Sequence, residues 1–240
     1  MQFLALVSLL SGQALAASVH RNLGHNVYHR DSGGYINRTA AITDADVHKL
    51  SALGVASVGV NSFSPNGAAW LGKDGPYRNE FLNVADEDLI LVIWGPAGSW
   101  INVKQPTLTA SLPAGTSLWV SFVNGASGAW VAIYADTRLV NGQASNTWGE
   151  FTFGAEGVVD VSREVNMDGH PMSIAGPACT TDMDTCVFLC TTGTACTTDY
   201  VLHNCENGSQ PGARYGIHEG APSGGCGGMG ASATLHTVLS

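Results

Sequence analysis

From residue 89 onward the apolar positions either recur at every second residue or run together in short blocks, a pattern that predicts strands. Leu89 to Trp94 is a nearly continuous apolar run, which suits a strand buried on both faces. Thr107 to Leu112 alternates, placing Leu108, Ala110 and Leu112 on one face. After the turn Pro113-Ala114-Gly115, Ser117 to Val123 alternates again through Leu118, Val120 and Phe122. Asn124-Gly125 predicts a tight hairpin turn, lengthened by Ala126 to Gly128, with Ala129 to Tyr134 returning as the next strand. Glu150 to Phe153 and Val158 to Val161 read as a further pair closed by Gly154 to Gly157, and Val55 to Val60 is a short β-prone run. The best helix candidate is Thr43 to Leu53. Thr43 can cap it, Asp44 and Asp46 suit the positive end, Val47, Leu50 and Leu53 space an apolar face, and Gly54 ends it. Short strands separated by Gly, Pro and Asn loops predict a mainly β chain folded as an antiparallel β-sandwich.

The ends depart from this pattern. Phe3 to Leu10 is a short apolar core and Ala14-Leu15-Ala16 fits small-x-small cleavage, so residues 1–16 read as a signal peptide rather than a buried strand. Residues 17–60 form an N-terminal segment, polar and rich in His and Arg up to residue 40 and expected to be flexible, 61–176 the sandwich core, and 177–240 a lobe rich in Cys, Thr and Gly. No later stretch has the ~18 consecutive apolar residues of a membrane span. All six cysteines (Cys179, Cys186, Cys190, Cys196, Cys205 and Cys226) fall in that lobe, and their gaps match no zinc module, so three disulfides are expected with the pairing left open. The lobe is too polar to build a large core, so the bridges must supply much of its order. Asn37-Arg38-Thr39 and Asn207-Gly208-Ser209 are glycosylation sequons. These features place the protein outside the cell or in the cell wall.

The net charge of −9 and the lack of a basic patch argue against nucleic acid and anionic membranes as partners, whereas an uncharged polysaccharide meets no electrostatic penalty. His20, His25 and His29 cluster early, but none becomes the first residue after cleavage at Ala16, so no copper site, other metal site or cofactor is expected. There is no nucleophile elbow, and G-G-C-G-G-M-G (224–230) lacks the lysine and helix of a phosphate loop.

The stretch Thr147 to Met172 carries the candidate chemistry. Its runs E-F-T-F, D-V-S and D-G-x-P-M resemble the acidic-cleft region of thaumatin-like proteins. The motifs T-W-G-E-F (147–151), S-G-A-W (127–130) and the strand ending in Leu91-Val92-Ile93-Trp94 are more similar to the secreted fungal allergen Asp f 4-like family. The resemblance implies a thaumatin-like sandwich whose groove is walled by the disulfide lobe. It also implies a secreted allergen or effector, and assigns Glu150, Asp160 and Asp168 to the acidic groove. Such acids bind sugar hydroxyls, or, two at a suitable separation with one pKa raised, hydrolyse a glucan. The plainer reading makes Glu150 and Asp160 surface residues and Asp168-Gly169 a turn. Among the tryptophans, Trp94 and Trp119 read as core, whereas Trp100 and Trp130 follow loops where exposure is expected. Trp148 shares a strand face with Glu150. Trp130, Trp148, Glu150, Asp160 and Asp168 are thus the candidate ligand residues. The expectation is a non-enzymatic protein that binds cell-wall polysaccharide, of β-glucan type. Its rivals are an endo-β-1,3-glucanase using Glu150 with Asp160 or Asp168, and an effector that binds a host protein.

Overall fold

The structure, a computed structural model, describes residues 42–65 and 67–240. The expected signal peptide, the His20, His25 and His29 cluster and the Asn37 sequon lie outside the described residues.

Two sheets face each other. The six-stranded sheet runs in the order β1 (Ala69–Leu71), β5 (Ser117–Phe122), β2 (Tyr77–Asn83), β17 (Ala233–Leu239), β11 (Met172–Ala175) and β12 (Thr180–Thr181). The larger sheet runs β14 (Tyr200–His203), β13 (Val187–Cys190), β10 (Val158–Ser162), β9 (Trp148–Thr152), β6 (Ser127–Ile133), β3 (Leu89–Trp94) and β4 (Leu108–Leu112). A hairpin of β15 (Ala213–His218) and β16 (Ala221–Cys226) joins it where Cys226 meets Val159, and β7 (Leu139–Val140) with β8 (Gln143–Ala144) makes a separate small hairpin. The pairings are antiparallel except β2 with β17 and β10 with β13, which are parallel. The chain is the mainly β sandwich that its alternation predicts.

The core explains why β3 is apolar throughout. Leu89, Leu91 and Ile93 point between the sheets, while Ile90, Val92 and Trp94 join a second cluster on the outer face of the larger sheet. Full burial of each such side chain is worth about 1.5–3 kcal/mol. The outer cluster is roofed by α1 (Asp44–Leu53) through Leu50, which is 2% exposed. The helix starts as its sequence predicts, with the Thr43 hydroxyl accepting from the Asp46 amide at 3.1 Å, and ends at Gly54 in the left-handed region. Asp46 and the Thr43 amide also bond the Ser111 hydroxyl, which fastens the helix to β4. Val55 to Val60 forms no strand but bonds to the sheet's neighbouring loops through Ala56 to Ile101 and Val60 to Thr107. The segment assigned to an N-terminal appendage is therefore packed on the larger sheet from Thr43 onward.

Two connections differ from their local reading. Asn124-Gly125 closes no hairpin, because β5 and β6 belong to different sheets; the turn carries the chain across the core. Pro113-Ala114-Gly115 does the same between β4 and β5. The last strand also leaves the Cys-rich region to run between β2 and β11, in the middle of the smaller sheet. Its sequence A-T-L-H-T-V-L alternates buried and more open positions, as does Y-R-N-E-F-L-N in β2.

All six cysteines pair, as Cys179–Cys226, Cys186–Cys205 and Cys190–Cys196. The first links the approach to β12 in one sheet with the end of β16 in the other. The second closes the open end of the β13–β14 hairpin, and the third ties back the loop that follows β13.

Candidate functional site

The β9–β10 hairpin builds the site. Its register places Glu150 opposite Asp160 and Trp148 opposite Ser162, so all four side chains share one face. Phe151, Val159 and Val161 point the other way, into the core between the sheets, which turns the acids to the outer face. Two residues beyond Ser162 the alternation brings Glu164 to the same region. Its backbone is held from the disulfide loop, where the Cys196 amide donates to the Glu164 carbonyl at 2.8 Å.

These residues lie along a groove made of two adjoining hollows. The larger, about 620 Å³, is lined by Trp94, Trp100, Trp148, Glu150, Ser162 and Glu164, among others. The smaller, about 290 Å³, continues past Glu150, Asp160 and Glu164 to Phe188, Tyr200 and the β16 strand. The β7–β8 hairpin borders the larger hollow through Val140 and Gln143, whose amide bonds the Ser99 hydroxyl at 2.6 Å. The disulfide loop supplies the facing wall through Ala195, Cys196 and Thr197.

The acids are electrostatically unusual. Burial pushes Glu150 up to about 7, although a hydrogen bond from Ser162 opposes the shift. Burial, then the charge of Glu150, raises Glu164 to about 8. Asp160, 5% exposed, is pushed well above the carboxylate range by burial first and then by Glu150 and Glu164. Its Oδ1 accepts no hydrogen bond. Among the described residues no ion pair neutralises any of the three. The rim acid Glu156 is paired instead with Arg214 at 2.9 Å.

The candidates divide accordingly. Glu150, Asp160 and Trp148 come together. Trp148 is only 6% exposed, packed edge-on against Trp94 with its indole N–H on the Ala144 carbonyl, so it supports the groove wall more than it presents a face. Asp168 does not join them. It sits exposed in a turn, its amide bonded to the Asn166 side chain, outside both hollows. Trp130 is a correction: it is fully buried between the sheets, stacked on Phe151 and edge-on to Phe81. It faces inward because its register partner is Gly149, and a Cβ there would sit 2.2 Å from the Trp130 indole nitrogen. The glycine of T-W-G-E-F thus makes room for the tryptophan of S-G-A-W. The exposed aromatic of the groove is Trp100, 46% exposed. Sequence reasoning missed Glu164 as a site residue; the signal was the continued alternation Asp160, Ser162, Glu164. The Asn207 side chain lies in an exposed turn and makes a two-way bond with the Tyr215 backbone.

Residues 73–212 match the allergen Asp f 4-like domain. No curated protein matches the chain. Among solved structures, the thaumatin-like xylanase inhibitor TLXI is 10% identical with a TM-score of 0.37, covering 67% of this chain and 97% of that one. The protein elicitor MoHrip2 from Magnaporthe oryzae is 11% identical with a TM-score of 0.34, covering 68% of this chain and 98% of that one.

Proposed function

The chain belongs to the allergen Asp f 4-like family, and we propose that it works as a non-catalytic binder of cell-wall polysaccharide, of β-glucan type, through the groove over β9 and β10. Its three disulfides fit an extracellular, oxidising setting. The observation that carries the reading is the joining of an exposed indole, Trp100, to an open groove with a polar floor. A sugar chain offers C–H faces for the indole and hydroxyls for Glu150, Ser162 and Glu164. With their pKa values raised, the carboxyls there can be protonated, and so donate as well as accept.

The same acids keep the hydrolase as the rival to test. A glycosidase needs one carboxyl protonated and a second ionised. Here burial raises all three, and among the described residues no ion pair holds one of them ionised. The test is co-sedimentation with insoluble β-1,3-glucan. The protein is expected to pellet without releasing reducing ends, and Trp100→Ala to stay in solution. Sugar release abolished by Glu150→Gln would replace this reading with the hydrolase. Failure of the unmodified protein to pellet would remove the glucan reading.

A further inference from the structure

A neutral sugar leaves one property of the groove without a purpose: its cluster of three acids. Glu150, Asp160 and Glu164 line it, and among the described residues no Lys, Arg or His lines either hollow. Arg214, at the rim, is held by Glu156. Asp160 lines the smaller hollow with a buried Oδ1 that receives no donor. A buried acceptor left without a donor is costly and rare in folded proteins, and calls for a cause.

We propose that the groove takes an amino-sugar chain, with the ammonium group of a glucosamine unit seated over Glu150, Asp160 and Glu164. The inference rests on the reading of the groove as a polysaccharide site and names the unit that occupies its acidic part. An ammonium brings three N–H donors and a positive charge into one small volume. It can donate to Glu150 and Glu164, which line both hollows, and offset their charge beside the buried Asp160; its bonds to ionised carboxylates are charge-assisted, roughly twice as strong as neutral ones. The acids stay protonated in the empty groove because burial and mutual repulsion disfavour their charge; a seated cation reverses that preference, so binding releases protons. A basic peptide offers the same charge but fits the remainder of the groove less well. Trp100 presents a flat indole, and Ser99, Asn141, Gln143 and Thr197 surround it with the short polar groups that hydroxyls need.

The experiment is calorimetric titration of the oxidised protein at about pH 6 and low salt. The probes are equal-length oligomers of glucosamine, N-acetylglucosamine and β-1,3-linked glucose, with oligolysine as a fourth. The glucosamine oligomer is expected to bind at least about tenfold tighter than either neutral one, equivalent to about 1.4 kcal/mol. Its heat should vary with buffer ionisation as protons leave, and Glu164→Gln should erase the preference. Should that variant fail to fold, Glu150→Gln makes the same test. Equal binding of all three sugars overturns the inference and leaves the polysaccharide reading standing. Oligolysine binding as tightly as the glucosamine oligomer also overturns it, in favour of any polycation. If no sugar binds, both readings fall.

Discussion

Raising the pH should weaken the fold, and the groove says by how much. Glu164 rises from 4.5 to about 8 in the folded protein through burial and the neighbouring Glu150 charge. A group whose folded pKa lies above its unfolded value gives stability that is complete below the unfolded value and lost as pH climbs through the folded one. At 1.36 kcal/mol per unit, the full span is at most about 5 kcal/mol. Glu164 keeps a partly open side chain, and solvent screening brings the figure to about 2 kcal/mol. Glu150 acts in the same direction over a lower window, losing its share as pH passes about 7. Urea unfolding at about pH 5 and about pH 8.5 is the assay. With a slope near 2 kcal/mol per molar, the midpoint should fall by about 1 M for the Glu164 share alone. Glu164→Gln, which cannot ionise, should be the more stable protein at the upper pH and lose much of the dependence. A midpoint that stays flat or rises with pH, or a variant that keeps the original slope, would refute the reasoning.

Two further outcomes follow from packing. Gly149→Ala drives a methyl into the Trp130 indole, so overpacking should cost about 1–3 kcal/mol in thermal or urea unfolding, and Trp130→Phe in the same chain should recover part of it. Replacing Cys190 and Cys196 with serine opens a loop of sequence separation 6, worth about 2 kcal/mol by chain entropy. Limited proteolysis should then cut between residues 191 and 199, and glucan retention should drop, because the Glu164 carbonyl loses its anchor. Unchanged retention would mean that this loop is no wall of the site.

The local pattern was legible wherever one strand's own alternation decided the outcome. Thr43 and Gly54 bound the helix as predicted, and β3 has two apolar faces because two clusters need them. The β9–β10 pairing brought Glu150 and Asp160 together, since the short glycine turn fixes that register. What needed the whole sandwich could not be read locally. Alternation puts Trp130 on one face of its strand, but only the partner sheet says that the face is inside. Asn124-Gly125 has hairpin chemistry and yet spans two sheets, because β5 finds β2 and β1 instead of β6. The strands β2 and β17 went unread because their outward positions carry Arg78, Glu80, Thr234 and His236, which dilute the apolar signal. Asp168 matched a motif by spacing, but the residues between it and Asp160 lead into a separate turn.

The place of β17 sets the timing of assembly. It lies between β2 and β11, and Arg78 bonds Thr234 across 156 residues of chain. During synthesis, β2 must therefore wait with one edge unpaired while nearly all of the later strands emerge. Non-local pairing of this kind slows folding and leaves an open edge exposed to other chains. The smaller sheet can close only once β17 has been made, so this half of the fold forms later than every strand that precedes it in the chain, and β2 keeps an open edge for that whole interval.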